Sequence, residues 1–417
     1  MMDMYNTWFY VLVGIILLNF LLDRLLVYLN GKRWSKELPE QLKGIIDEER
    51  YKKSQLYNKT NRQFSFYTST FSLMVMMLML FLGGFALVDG LAREVSNHPI
   101  VISLLFFGIL MFASDIINLP FSLYDTFVIE EKFGFNKTTH KTFFTDKIKS
   151  WLLGALLGGG ILALVVWFYQ LTTDMFWIYT WALIAVFSIF MSMFYSTLIV
   201  PLFNKQTPLE EGELKQAIKN LSNKVNFKLD DVFVIDGSKR STKANAYFSG
   251  LGPKKRIVLF DTLINDLTTN EIVSVLAHEI GHYKKKHTLS MMVISILQMG
   301  ITLYILSLFI GNPALSRALN VEQTGFHLGL VAFGILYSPI STILGLGVNI
   351  LSRKNEYAAD AFAAKHYSPD GLASALKKLS VKNLSNLRPH PAYVFFNYSH
   401  PPLLSRLRAL EQYSSET

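Results

Sequence analysis

Thr268-Thr269-Asn270-Glu271-Ile272-Val273-Ser274-Val275-Leu276-Ala277-His278-Glu279-Ile280-Gly281-His282 reads as one helix from its first residue to its last. Thr268 with Glu271 three positions on is a capping box, in which each side chain satisfies the other's free backbone N–H. Ile272, Val273, Val275 and Leu276 give the helix an apolar side. On a 3.6-residue period His278 and His282 stand one above the other, so both imidazoles can share one metal ion. Glu279 projects beside that ion, placed to take a proton from a water the ion activates. Two exposed histidines flanking a surface glutamate would give the same letters. The capped, apolar-sided helix points instead to a buried metal-binding element.

The H-E-x-x-H spacing is that of zinc peptidases, with the glutamate as general base. A catalytic zinc needs a third protein ligand and one open position. The chain contains no cysteine, so the site must be built from His, Asp or Glu. Further on the chain reads Asn355-Glu356-Tyr357-Ala358-Ala359-Asp360. Glu356 and Asp360 are four apart and share a helical face, and the alanines between them permit close packing. Glu356 is the expected third ligand of one Zn2+ per chain. Asp360 is expected to accept from the other ring N–H of a ligand imidazole. A pair of surface carboxylates is the other reading. Upstream, Pro201 to His287 is the largest hydrophilic stretch. Glu213 to Val225 reads as an amphipathic helix. Val232 to Ile235 and Ile257 to Phe260 read as short strands of a small β-sheet, with Asp236-Gly237 as a turn.

Outside that core the chain changes character. Of 417 residues 51% are hydrophobic and 17% charged, below the usual quarter. The apolar residues fall into seven blocks: Trp8 to Leu29, Phe71 to Leu91, Ile100 to Leu119, Trp151 to Tyr169, Phe176 to Val200, Leu289 to Ile310 and Phe326 to Leu351. Each approaches or exceeds the roughly 20 residues that span a bilayer. The first reads as an uncleaved anchor, since no basic stretch precedes it and no small-residue cleavage site follows. Basic residues crowd alternate connections: Lys32, Arg33, Lys36, Lys43, Arg50, Lys52, Lys53, Lys59 and Arg62, then Lys132, Lys137, Lys141, Lys147 and Lys149. The intervening ones carry little beyond Arg93 and Arg317. This asymmetry puts the N-terminus outside and the connection after span five, with the C-terminal tail, in the cytoplasm. It also accounts for the net charge of +9 without a nucleic-acid partner. The expected fold is mainly α and polytopic. Five spans occupy residues 1–200, a catalytic segment 201–287, two spans 288–351 and a second catalytic segment 352–417.

With the later Glu356-x-x-x-Asp360, the motif resembles the gluzincin pattern. Set among seven spans, it resembles the integral-membrane CAAX prenyl endopeptidases, zinc proteases that cut farnesylated C-terminal motifs. The likeness covers most of the chain. Tyr124 to Asn136 is similar to that family's loop before span four, and Pro201-Leu202-Phe203-Asn204-Lys205 to its segment after span five. Ala244 to Gly250 resembles its substrate-side strand, and Ser399-His400-Pro401-Pro402 with Arg406 its C-terminal motif. The resemblance implies that Asn245 and Ala246 hold substrate backbone. It further implies that His400 and Arg406 act with Glu279 in catalysis, stabilising the oxyanion, and that seven helices enclose a large water-filled chamber. From the residues alone, His400 fits a structural histidine before a proline turn equally well, and Arg406 an ordinary helix charge. The implied partners are a peptide or protein substrate, prenylated or membrane-associated, and the lipid bilayer. A monomer is expected. The closing Ser-Ser-Glu-Thr shows no endoplasmic-reticulum retrieval signal, which favours a bacterial inner membrane. The alternatives are a quality-control zinc protease of the heat-shock type, a site-two-type intramembrane protease, and a non-enzymatic membrane zinc protein. The five N-terminal spans and the Asn136 loop argue against the first, the polar sequence before the motif and Glu356 after a span against the second, and the intact Glu279 against the third.

Overall fold

The computed structural model describes residues 6–414 except 36, 39, 230 and 251–255; Lys36, Leu251 and residues 415–417 lie outside the described residues. Six helical runs are long and apolar enough to cross a membrane: Thr7–Lys32, Glu48–Phe81, Pro99–Phe133, His140–Phe203, His287–Phe309 and Phe326–His366. The fourth has 64 residues, about 96 Å at helical rise, which is about three hydrocarbon thicknesses. It reverses at the polar Thr172-Thr173-Asp174, where Thr173 takes a φ of 41°. Its two arms then pack side by side, so seven membrane-length helices carry the apolar blocks.

Two boundaries differ from the hydropathy reading. The second block is not one helix. It breaks at Gly83, which has a φ of 68°, and restarts as Gly84–Val95. That short helix buries Phe85, Val88 and Ala92 against Phe106, Leu319 and Leu328, closing one end of the bundle. The helix before the break begins well upstream of its apolar block, at Glu48. Asp47 caps it by accepting from the Arg50 amide at 2.7 Å. Most of the basic connection after span one is therefore helix.

The hydrophilic part is built on a four-stranded sheet: β1 Gln206–Pro208, β2 Asp231–Ile235, β3 Ala246–Ser249 and β4 Arg256–Phe260. Its order is β1-β2-β4-β3, with β2 and β4 parallel and the outer pairs antiparallel. β3 is an edge strand. The helix Thr269–Lys284 lies under this sheet and carries the capping box read from the sequence, with Thr268 N donating to Glu271 Oε2 at 2.8 Å. Ile272, Leu276 and Ile280 on its apolar side pack among Ile218, Leu259 and Leu372. The last membrane helix, Phe326–His366, runs 41 residues without a break and passes directly against the motif helix. Gly281 allows that approach: a Cβ there would sit 3.0 Å from Phe362 Cβ and 3.2 Å from Ala359 Cα.

The chain leading into β3 is fastened to the membrane helices. Arg240 holds Asp146 through two bonds, of 2.8 and 3.0 Å, and donates to the Phe203 carbonyl at 2.8 Å. Lys243 donates to Glu130 at 2.7 Å and to the Tyr57 hydroxyl at 3.1 Å. Burial alone would lower the Lys243 pKa, but these partners raise it above the ordinary value, so the lysine is held charged.

Candidate metal centre

His278 and His282 project from the motif helix and Glu356 from the last membrane helix. One ligand atom from each lies within 4.8 Å of the others. The two Nε2 atoms are 3.1 Å apart; His278 Nε2 is 3.5 Å from Glu356 Oε2, and His282 Nε2 is 3.3 Å from Glu356 Oε1. Donors about 2.0–2.2 Å from a tetrahedral ion stand roughly 3.3–3.6 Å apart by geometry, close to the observed edges. Glu356 is buried, and its Oε2 has no hydrogen-bond partner. A buried carboxylate oxygen left unpaired is costly unless a cation completes it. The donor set therefore fits a small divalent metal.

Behind the ligands stands a second layer of bonds. Asp360 Oδ1 accepts from His278 Nδ1 at 2.8 Å, which fixes the proton there and turns Nε2 toward the shared point. Arg406 donates to Asp360 through Nε at 2.9 Å and Nη2 at 2.6 Å, and its Nη1 is 3.5 Å from Glu356 Oε2. Burial pulls the Arg406 pKa down, but the two carboxylates raise it above its ordinary value. Two of its three guanidinium nitrogens are thus committed to Asp360, inside the protein. His400 differs: its Nε2 lies 3.3 Å from Glu356 Oε1 while its side chain is 64% exposed, on the open side.

His278, His282, Glu356, His400 and Arg406 line a pocket of about 380 Å³, together with Glu279, Asn245 and Ala246; Asp360 lies buried behind it, against His278 and Arg406. Asn245 accepts from the Phe260 amide through its carbonyl at 3.1 Å, and its side-chain Oδ1 accepts from Ala246 N at 2.9 Å. Ala246 and Phe248 of β3 face the pocket, and Tyr247 on the other face meets Ser196 Oγ at 3.3 Å. Every site residue named from the sequence is thus in one place. His287, beside His282, was not anticipated: its Nδ1 is 3.1 Å from His282 Nδ1. It lies five residues on, past the left-handed Lys286 with a φ of 58°, where helical spacing no longer applies.

Residues 28–205 match the family described as CAAX prenyl protease N-terminal, five membrane helices, and residues 208–414 match peptidase family M48. The chain is 37% identical to the CAAX prenyl protease 1 of Saccharomyces cerevisiae, over 98% of its own length and 96% of the relative's. The chain belongs to peptidase family M48. The N-terminal match covers the five spans that argue against the heat-shock alternative. The Arabidopsis thaliana CAAX prenyl protease 1 homolog is 37% identical over 91% of this chain and 92% of its own, and the human one 33% over 90% and 88%. A crystal structure of S. mikatae Ste24p superposes with a TM-score of 0.92 at 35% identity, covering 97% of this chain and 99% of that one. This M48 chain is an integral, multi-pass membrane metallopeptidase. These relatives are eukaryotic and lend no support to the bacterial inner membrane favoured above.

Proposed function

We propose that this M48 protease removes C-terminal residues from prenylated CAAX substrates, using one zinc ion held by His278, His282 and Glu356. The observation that carries this reading is the convergence of those three donors beside an edge strand, at the end of a bundle of membrane helices. When bound, the ion would acidify the attacking water and polarise the scissile carbonyl. The Glu279 carboxylate accepts the water's proton and returns it to the leaving amide nitrogen. Substrate lies extended along β3, whose outer edge offers main-chain pairing, with Asn245 and Ala246 at the start of the pairing edge. His400 Nε2, on the open side, donates to the developing oxyanion. Arg406, committed to Asp360, holds the ligand carboxylate and Asp360 in register and adds positive charge from behind.

The finer assignments follow the same line. The Lys/Arg asymmetry puts the site on the cytoplasmic side. Only 6% to 17% of the residues in the apolar windows are buried against protein, which suits helices standing around a hydrated chamber. The catalytic unit is split by two membrane helices into 201–287 and 352–417, and one chain supplies every site residue, as a monomer requires. Metal analysis of the purified protein should find about one zinc per chain. Glu356→Ala should lose most of it; full retention in that variant would remove Glu356 from the site.

A further inference from the structure

A cleft of about 540 Å³ opens between the first two membrane helices, far in sequence from the metal ligands. Three cations line it, Arg24, Lys32 and Arg62, and its apolar wall comes from Val27, Phe66 and Tyr67. Arg24 contacts Asp23 and, at 3.5 Å, Ser65 Oγ, both through Nη2. Its Nε and Nη1 are buried and have no hydrogen-bond partner, while the guanidinium carbon lies 5.8 Å from the Phe20 ring centroid. Arg62 lies across the backbone of the first helix at Gly31, where a Cβ would sit 1.5 Å from its Nη1. Among the described residues no carboxylate pairs with Lys32 or Arg62. Among the described residues Asp23 is the one carboxylate in an ion pair with these three cations, so the cleft carries excess positive charge.

Position adds the second half of the argument. Arg24 and Lys32 are eight residues apart, about 12 Å along the helix. That exceeds the roughly 5–8 Å headgroup layer on either side of a bilayer. The cleft therefore begins at headgroup depth, where the basic connection starts, and continues to acyl depth. Phe66 and Tyr67 are 52% and 67% exposed there, on a helix long and apolar enough to cross a membrane. A free inorganic anion would use the cations and leave that apolar wall idle.

We propose that this cleft binds the phosphate headgroup of an anionic phospholipid, with an acyl chain along Val27 and Phe66. A phosphate diester offers the paired oxygens that guanidinium donors take in bidentate fashion. The site also bears on the catalytic side. Asn30, on the same turn of the first helix, accepts through Oδ1 from the His390 amide at 2.9 Å and from Asn386 Nδ2 at 3.3 Å. From His390 the chain runs through helix Pro391–Asn397 to His400. Occupancy of the cleft steadies the helix end on which that segment hangs.

The test uses full-length protein in an uncharged detergent, titrated with dioctanoyl phosphatidylglycerol, dioctanoyl phosphatidylcholine or inorganic phosphate. Bound molecules are counted by native mass spectrometry, and thermal unfolding is followed in parallel. Phosphatidylglycerol should bind at about one per chain, at least about tenfold more tightly than phosphatidylcholine. Arg24→Gln with Arg62→Gln should weaken it at least about fivefold. Lys32→Glu, at an exposed position that the fold does not need, should do so independently, while Lys141→Glu should not. Equal binding of the two lipids, or unchanged affinity in Lys32→Glu, overturns the proposal. Equal stabilisation by inorganic phosphate at the same concentration also overturns it, because the apolar wall would then contribute nothing.

Discussion

Asp360→Asn isolates the bonds behind the metal ligands. The carboxylate makes three contacts: His278 Nδ1 at 2.8 Å and Arg406 Nη2 at 2.6 Å on Oδ1, and Arg406 Nε at 2.9 Å on Oδ2. Asparagine has the same shape but only one acceptor oxygen. Whichever way its amide turns, the NH2 faces at least one N–H. The less costly placement puts the amide nitrogen against Arg406 Nε, losing one bond and the negative charge. Arg406, 9% exposed, then keeps Glu356 at 3.5 Å as its paired carboxylate, with Glu279 acting on it at longer range. Removing one member of a buried pair costs about 3–5 kcal/mol; the surviving Glu356 contact places this case near the lower end. Loss of a partner that orients a ligand imidazole lowers metal affinity by about 10–100-fold. Chelator competition measures the second quantity, and unfolding of metal-free protein in detergent measures the first. Metal affinity within about twofold of wild type, with stability changed by less than about 0.5 kcal/mol, would refute the role assigned to Asp360.

Three further outcomes follow from the same geometry. Asn245→Ala should lower kcat/KM by about 1–3 kcal/mol through polar groups left unpaired once substrate covers them, with zinc content unchanged; unaltered kinetics would reject pairing at β3. Glu271 accepts from Ser374 at 2.6 Å and Lys378 at 2.7 Å; burial raises its pKa, but these bonds and the Thr268 amide bring it down to about 2 from an ordinary 4.5. A depressed carboxylate pKa contributes stability above its unfolded value and loses it as pH falls. The stability gap between wild type and Glu271→Gln should therefore hold above about pH 5 and shrink by on the order of 1–3 kcal/mol between about pH 4.5 and 2, with Lys378 half exposed keeping it below the full linkage value. Single cysteines placed at Lys43, Lys224 and Lys382 should react with an impermeant reagent in sealed membranes with the cytoplasmic side outward, while those at Asn97 and Asn312 react only after the membranes are opened; the reverse pattern would invert the orientation.

What was legible in the sequence was local or periodic. The motif helix shows its cap, its apolar side and its histidine spacing within fifteen residues. The membrane helices show themselves because bilayer thickness sets a minimum apolar length. The break at Gly83 is invisible to hydropathy, since a positive φ leaves the apolar run intact. β1 is three residues long and exists only through its pairing to β2. The sheet order β1-β2-β4-β3 depends on a parallel crossover that no strand pattern states. His287 escaped because it returns to His282 after a left-handed residue. The commitment of Arg406 to Asp360, 46 residues earlier, is a tertiary fact. The resemblance named Arg406 as part of the site; only the structure separates its inward-facing bonds from the open-side position of His400.

The most direct test of the central claim is release of the C-terminal tripeptide from a farnesylated CAAX peptide by purified, zinc-loaded protein in liposomes, compared with Glu279→Gln at matched zinc content. The account predicts cleavage by the wild type and a rate at least about 100-fold lower in the variant, the range of general-base catalysis. No release by the zinc-loaded wild type, or equal rates from the two proteins, would contradict it.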